Sequence, residues 1–291
     1  MLSYSHQPTT LLGGDQGAWI KLGVVFALIS LLSLLILYKV TREQAVQKAP
    51  AQAQEDEVPF VEGIKCLFRN KCWVLMLGAN LLMNISYGLS SGGGTYYAKY
   101  ILGDDNLVGV MGAIGLIPTL VGFVAVGPLA GKLGMRKTCM LSCGIGAAAC
   151  VVRVFTPYSL VTALGGGAFA TFANIPMMCL FGAMVNNCVE YNEWKFGKRL
   201  VGMTNSASSF GNKIGSGIGG SLIGWMLALA GYNAAAQVQP GSVNTAIIGF
   251  AIYIPLLLFV GMFILLKLYD LEQLYPTIVG DLEQRRAGKA Q

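Results

Sequence analysis

Lys213 is the residue whose type and position most directly imply chemistry in this chain. It lies in the apolar, glycine-rich stretch 203–230. With a helical rise of ~1.5 Å per residue, its distance from the nearest charged run places the ammonium roughly 15 Å inside a membrane. Inserting a lysine at such depth costs about 2.5–3.5 kcal/mol, so it normally faces a polar cavity and has a partner. No apolar stretch contains Asp or Glu. The counter-charge is therefore expected from elsewhere.

Polar residues near Lys213 and in two other stretches recur at helical spacing. Hydrogen bonding between packed helices explains such residues in many membrane bundles. A water-filled cavity for a hydroxyl-rich solute explains them equally well, and both interpretations remain open from the residues alone. The candidate substrate and coupling residues are Lys213, Asn212, Ser209, Asn205, Asn80, Asn84, Tyr87 and Asn174.

The elements that position these residues are predicted to be membrane-spanning helices. Hydrophobic residues make up 54% of the chain and charged residues 12%, a balance typical of membrane proteins. Each apolar stretch has about the 20 residues that cross a bilayer as a helix. The fold class is therefore all-α and polytopic, with seven predicted spans: 20–38, 73–91, 107–130, 138–156, 160–185, 203–230 and 244–266.

Most Lys and Arg residues cluster on alternate connections, which predicts the orientation by the positive-inside rule. Lys21, Lys99 and Arg153 fall on the opposite, outer side. Residues 1–19 are expected outside the cell and the carboxyl terminus in the cytoplasm. The leading helix 20–38 is followed by a cytoplasmic linker over 39–63. Residues 60–69, in the non-membrane segment 39–71, have the pattern of a short surface helix. A six-helix bundle over 64–270 and a cytoplasmic tail over 271–291 complete the domain organisation. The net charge of +6 reflects this topology, so no nucleic-acid partner is predicted.

Other function classes find little support in the residues. Six of the seven Cys lie in or beside apolar stretches, without the His or Cys that a zinc site needs, so no metal or cofactor is predicted. No nucleophile–base pair or phosphate-binding loop is visible, which argues against an enzyme.

Gly211, Gly215 and Gly219 form a small-xxx-small pattern, which allows close approach of two helices.

Two connections carry more specific patterns. Segment 127–137 has glycines at its corners and basic residues near the helix ends, including Lys132 and Arg136, and it resembles the short-loop motif of the major facilitator superfamily. Gly131 occupies a position where that motif often has an acid. Segment 187–199 is similar to the signature of the glycoside–pentoside–hexuronide:cation symporters, and eight of its thirteen positions match. The matching positions are Val189, Glu190, Tyr191, Glu193, Trp194, Lys195, Gly197 and Arg199.

The resemblance implies the carboxyl-terminal part of a sugar transporter, covering helices six to twelve of a twelve-helix fold in a bacterial plasma membrane. It implies sugar uptake coupled to sodium or proton entry, with the coupling cation bound mainly by a missing amino-terminal half. Lys213 matches a family lysine near the sugar and cation sites, and its partners would be carboxylates of that half. A cytoplasmic gate is expected at Glu190, Tyr191, Glu193, Lys195, Arg199, Lys132 and Arg136.

The expected partners are membrane lipid, a small sugar and the amino-terminal half. The chain is expected to be incomplete alone, as a truncated gene, a split gene or a fragment. A non-transporting membrane remnant or a partner-binding membrane module is the alternative. Sugar uptake only in the presence of the complementary half distinguishes the two.

Overall fold

A computed structural model describes residues 16–47, 58–236 and 238–289, and these residues form helices and connections without a strand. The chain divides into two units, Met1–Gln54 and Glu55–Gln291. The first unit contains helix α1, Gln16–Gln47, which extends beyond the predicted stretch 20–38 at both ends. Residues 1–15 of the predicted outer segment and 48–57 of the predicted linker lie outside the described residues.

The second unit begins with the short helix α2, Phe60–Arg69, which has the predicted bounds. One face of α2 is buried at Cys66 and Leu67, whereas Phe60 and Phe68 are exposed. Asn70 joins α2 to the rest of the unit, because its Oδ1 accepts a hydrogen bond from the Trp73 backbone N–H at 3.1 Å and its Nδ2 donates to the Cys188 carbonyl at 3.0 Å. This side chain caps the following helix and ties it to a distant one.

Long helices make up the remainder of the second unit. Helix α3 continues into a π-helical turn over Tyr97–Leu102, and α8 is joined to α9 by a second π-helical turn over Gly249–Tyr253. The helices are α3 (Lys71–Tyr96), α4 (Leu107–Leu133), α5 (Met135–Phe155), α6 (Leu160–Phe196), α7 (Val201–Leu229), α8 (Gly241–Ile248), α9 (Ile254–Leu268) and α10 (Leu271–Lys289).

Small residues allow α3 and α7 to pack closely. Gly211, Gly215 and Gly219 are buried on the face of α7 that contacts α3. A Cβ added at Gly215 would lie 2.9 Å from the Leu81 carbonyl oxygen, and one added at Gly219 would lie 3.0 Å from the Cα of Gly88. The close approach predicted from the glycine spacing is therefore confirmed. The other main helix pairs are α5–α6, α4–α6, α5–α9 and α3–α9.

Among the described residues, six helices are long and apolar enough to cross a membrane. They are α1, α3 with its π-helical turn, α4, α5, α6, and α8–α9 together. Helix α7, which covers the predicted span 203–230 up to Leu229, has 29 residues but is less apolar because it is rich in Gly, Ser and Asn. The all-helical membrane fold is thus established, and the seventh span stays a prediction.

The connections differ from the sequence-based expectation. Segment 187–199 was expected to be a loop, but α6 continues to Phe196. Segment 127–137 is also almost entirely helical, because only Gly134 separates α4 from α5. The apolar stretches ended earlier than the helices because charged residues at a membrane surface continue a helix without adding hydropathy. The predicted tail is helical over Leu271–Lys289 and packs against α6.

Candidate functional site

A cavity of about 860 Å³ lies within the second unit, and several predicted site residues line it. Its walls come mainly from α3, α4, α5, α6 and the π-helical turn before α9. The lining is mostly apolar but includes amide, hydroxyl and guanidinium groups. The polar side chains in the lining include Asn80, Asn84, Tyr87, Thr119, Arg153, Thr171, Asn174 and Asn212.

An amide network joins α3 to α7 at one side of this cavity. Asn84 Nδ2 lies 3.0 Å from Asn212 Oδ1 and 3.0 Å from Asn80 Oδ1. Asn80 is fully buried, and its Nδ2 donates to the Ser208 carbonyl at 3.1 Å. The Asn80 amide is thus hydrogen-bonded within the bundle, whereas Asn84 and Asn212 are accessible from the cavity.

Tyr87 and Asn174 add polar groups to the lining. Tyr87 is 69% exposed, so its hydroxyl is accessible. Asn174 Nδ2 donates to the Ala170 carbonyl at 2.9 Å within α6. The Asn174 Oδ1 has no hydrogen bond from the described residues and remains an acceptor. Amide and phenol groups with free capacity are suited to bind the hydroxyls of a sugar.

Three of the predicted residues are not brought to the cavity. Asn205, Ser209 and Lys213 lie on an exposed stripe of α7, outside the lining. The reason is the direction of the glycine face. When Gly211 and Gly215 turn toward α3, the stripe of Asn205, Ser209 and Lys213 lies roughly 140° away around the helix, at 3.6 residues per turn. Among the described residues, Lys213 has no ion pair or side-chain hydrogen bond.

The predicted gate residues lie at the end of the second unit that contains Gly134, residues 197–200 and α10, here called the α10 end. The Arg199 guanidinium contacts the Glu193 carboxylate at 2.8 Å, and Lys195 Nζ lies 2.9 Å from the Tyr191 hydroxyl. These groups are paired within the last turns of α6 and the connection that follows. Glu190 Oε2 is buried and has no hydrogen-bond partner among the described residues.

Helix α10 places further polar groups against the gate residues. Burial, together with the Glu190 carboxylate, raises the pKa of the Tyr275 hydroxyl to about 12. Trp194 Nε1 donates to Asp281 Oδ2 at 2.8 Å, and an Arg285 guanidinium N–H donates to the Trp194 carbonyl at 3.0 Å. The α10 helix is therefore fixed against the end of α6.

Glu272 caps the start of α5. Its carboxylate accepts from the backbone N–H of Met135 at 2.6 Å and from that of Arg136 at 2.9 Å. Gly134, at φ 87°, is needed here because an added Cβ would lie 2.9 Å from Glu272 Cδ. The short-loop motif often has an acid at the position of Gly131. In this chain Glu272, from α10, instead places a carboxylate at the start of α5.

The Arg136 side chain contacts the carboxyl end of α9, and no hydrogen bond or ion pair with segment 187–199 is seen among the described residues. Its Nε donates to the Leu266 carbonyl at 2.9 Å, a second guanidinium N–H donates to the Lys267 carbonyl, and Asp270 lies 3.5 Å away. Lys132 is exposed. A cation at the carboxyl end of a helix satisfies its free carbonyls, which gives Arg136 a structural role.

The sequence-based reasoning missed two features of the site. Arg153 was counted among the outer-side charges, yet it is buried and lines the cavity. Helix α10 was treated as a tail, yet it supplies Glu272 and Asp281. Arg153 is a basic residue three positions before the end of the apolar stretch 138–156, and this position is a signal by which the sequence could have indicated a buried cation. No local pattern reveals where α10 packs.

Comparison with known proteins identifies the family. The model of the family described as "MFS/sugar transport protein" matches residues 5–273. The isoprimeverose transporter of Lactiplantibacillus pentosus is 28% identical over 282 residues, which cover 92% of this chain and 55% of that protein. The putative glycoside/cation symporter YagG of Escherichia coli is 28% identical over 278 residues, covering 89% of this chain and 55% of that protein.

A third relative is the glucuronide carrier protein homolog of Escherichia coli, which is 28% identical over 269 residues, covering 90% of this chain and 57% of that protein. The chain spans about half the length of the curated relatives that it matches. These relatives carry the names of bacterial transporters and not of enzymes. With the membrane-spanning helices, they support a multi-pass protein of a bacterial plasma membrane.

Proposed function

Because the chain belongs to the glycoside–pentoside–hexuronide:cation symporters of the major facilitator superfamily, we propose that it forms one wall of a sugar:cation symporter. The transported solute is a glycoside, pentoside or hexuronide, and its uptake is driven by sodium or proton entry. The observation that carries this proposal is the cavity of about 860 Å³ with the Asn84–Asn212 amide pair in its lining.

The size and chemistry of the cavity suit a sugar. Its volume falls within the roughly 300–1,000 Å³ of small-molecule sites. Its lining combines apolar surface, which packs against a sugar ring, with Asn84, Tyr87, Asn174 and Asn212, which offer both donors and acceptors. Sugar hydroxyls both donate and accept, so mixed amide and phenol groups match them better than groups of one kind.

The exposed polar stripe of α7 supports a second bundle opposite this wall. Asn205, Ser209 and Lys213 are exposed, and Phe210, Ile214 and Ile218 on the neighbouring face are suited to lipid. Alternating access needs two bundles that move about a central site. We propose that a complementary amino-terminal half covers the polar stripe and that its carboxylates pair with Lys213 and bind the coupling cation.

The α10 end is the proposed cytoplasmic gate. Glu190, Tyr191, Glu193, Lys195 and Arg199 lie together at the end of α6, and the positive-inside rule places this end in the cytoplasm. With seven spans, the amino terminus lies outside. The alternative of a non-transporting remnant is not favoured, since the relatives are named as transporters.

Sugar binding by the purified chain in lipid nanodiscs tests the cavity. Isoprimeverose is the first probe because a relative bears its name. We expect saturable binding that Asn212→Ala weakens about tenfold, since one or more hydrogen bonds are lost. Ser206→Ala, an exposed position on another side of α7, serves as the matched control. Equal weakening by both variants contradicts the assignment.

Uptake tests the role of the second bundle. The chain is reconstituted in proteoliposomes with and without a separately expressed amino-terminal half, and sugar uptake is measured under a sodium or proton gradient. We expect uptake only from the mixture, and Lys213→Ala is expected to abolish its dependence on the gradient. Gradient-driven uptake that persists in Lys213→Ala removes this residue from the mechanism. No uptake from the mixture, combined with no sugar binding, supports the remnant instead.

A further inference from the structure

Arg153 is a buried cation in the lining of the cavity. It lies in the last turn of α5, at the end of the unit that also contains Tyr97 and Pro157, here called the Tyr97 end. Only 7% of its surface is exposed. Its Nε is buried without a hydrogen-bond partner among the described residues. An arginine keeps its charge under all physiological conditions, so burial leaves this cation with unused donors.

The surroundings of Arg153 hold it in place but do not neutralise it. One Nη atom lies 3.4 Å from the Ala251 carbonyl, a long contact, and the guanidinium lies 5.0 Å from the centre of the Tyr97 ring. Gly166 leaves space for the side-chain stem, because an added Cβ would lie 2.6 Å from Arg153 Cδ. The Tyr97 hydroxyl is itself occupied by the Pro157 carbonyl.

No acid among the described residues pairs with Arg153. The helices that line the cavity contain no Asp or Glu within their apolar parts. At the Tyr97 end, Asp104 accepts hydrogen bonds from Asn106, and Asp105 lies 4.0 Å from Lys99. A buried charge in a membrane protein normally pairs with another group or marks a solute pathway. Arg153 has the cavity beside it and no counter-ion, so the pathway is the better explanation.

We propose that Arg153 binds the carboxylate of an anionic sugar, so that the solute is of the hexuronide type. The guanidinium presents parallel N–H donors that match a carboxylate, and a low-dielectric site strengthens this pairing. The other polar groups of the same lining remain available to the sugar hydroxyls. This inference rests on the proposed sugar-binding function and specifies which sugars the site prefers.

Two probes that differ in one group test the inference. 4-Nitrophenyl β-D-glucuronide carries a carboxylate where 4-nitrophenyl β-D-glucoside carries a hydroxymethyl group. Binding of each to the purified chain in nanodiscs of neutral lipid is measured by equilibrium dialysis. We expect the glucuronide to bind about tenfold more tightly or better, because a charge-assisted hydrogen bond contributes more than a neutral one. In Arg153→Gln this preference is lost, while the affinity for the glucoside stays within about twofold.

Two further variants separate recognition from structure. Lys99→Gln removes an exposed cation from the same end of the unit and is expected to keep the preference. Arg153→Lys keeps the charge but not the planar donor pair, so we expect it to retain a reduced preference. If Arg153→Gln does not fold, Arg153→Lys decides the test, and an unchanged preference in that variant contradicts the proposal.

The remaining outcomes distinguish the two proposals. Equal affinity of the wild-type chain for both probes overturns the role of Arg153 and leaves the sugar site intact. A preference for the glucuronide that persists in Arg153→Gln also overturns the role of Arg153 and leaves the sugar site intact. Binding of neither probe overturns the sugar site itself, and the role of Arg153 falls with it.

Discussion

The α10 end and the cavity differ in how fully their polar groups are paired among the described residues. At the α10 end, Glu272 accepts two backbone N–H groups, Arg136 satisfies the carbonyls at the end of α9, and Trp194 is bonded to Asp281. Glu190 Oε2 is an exception at this end, since it is buried without a hydrogen-bond partner in the described part of the chain. In the cavity, Asn174 Oδ1 and Arg153 Nε have no partner among the described residues. Satisfied groups stabilise a fold, whereas groups with unused capacity await a ligand.

This contrast implies that substitutions at the α10 end change stability, while substitutions in the cavity change binding. A membrane transporter needs both kinds of region, because a rigid bundle has to present a site whose interactions are completed only by the solute. The predictions that follow test this division, beginning with the largest expected effect.

Gly134→Ala tests the α10 end most severely. Alanine at φ 87° is strained, and its Cβ displaces the Glu272 carboxylate from the start of α5. We expect the free energy of unfolding of the purified chain to fall by about 2–3 kcal/mol. Denaturation in mixed detergent micelles, followed by tryptophan fluorescence, measures the change. Gly131→Ala is the control, since nothing lies within 4 Å of its Cβ and its backbone is helical. Comparable losses in both variants contradict the capping role of Glu272.

Asn174→Ala tests the cavity. The variant loses the acceptor Oδ1 but leaves no other polar side chain unpaired, because Asn174 Nδ2 bonds only to the Ala170 carbonyl. We expect the affinity for a neutral sugar probe to fall about tenfold, with stability almost unchanged. Equilibrium dialysis and the denaturation experiment measure the two quantities. Asn106→Ala, in the exposed connection before α4, is expected to leave binding unchanged. A loss of stability without a loss of affinity assigns Asn174 to packing instead.

Trp194→Phe tests the attachment of α10 to α6. The substitution removes the indole N–H that donates to Asp281 Oδ2 and keeps an aromatic ring at this position. We expect the free energy of unfolding to fall by roughly 0.5–1.5 kcal/mol. Trp225→Phe is the control, because it makes the same substitution at an exposed tryptophan without a side-chain hydrogen bond to the described residues. We expect the free energy of unfolding of this variant to equal that of the unchanged chain. If both variants lose the same stability, the indole–carboxylate bond contributes nothing.

Lys195→Met is expected to have the smallest effect. The ammonium is exposed and its contact with the Tyr191 hydroxyl is open to solvent, so stability should change by less than about 0.5 kcal/mol. The midpoint temperature of thermal unfolding, compared between the variant and the unchanged chain in nanodiscs, measures this change. A large drop would show that Lys195 belongs to the structural pairing of the α10 end and not to a gate that opens.

Several features followed directly from the residues. The apolar stretches predicted a helical membrane protein, the 60–69 pattern predicted α2, and the glycine spacing predicted the close α3–α7 contact. The 187–199 signature predicted the family that the comparisons support. These are local properties: apolar length, helical periodicity and residue identity act over a few turns of one helix.

The site itself needed the fold. Sequence spacing grouped Asn205, Ser209 and Lys213 with Asn212, but the packing of α7 leaves only Asn212 in the cavity lining. Arg153 was read as an outer-side charge, and the fold encloses it beside Tyr97 and Gly166. Which face of a helix turns inward depends on the shape of its neighbours, and no pattern within one helix contains that information.

The amino-acid sequence therefore determines that this chain is built of apolar helices, which segments form their apolar parts and to which family the chain belongs. The pairing of Glu272 with the start of α5, the burial of Arg153 and the choice of Asn84 and Asn212 as cavity groups arise from contacts between residues far apart in the chain. The physical reason is that burial and hydrogen bonding are set by three-dimensional neighbours, whereas hydropathy and helical spacing are carried by each segment alone.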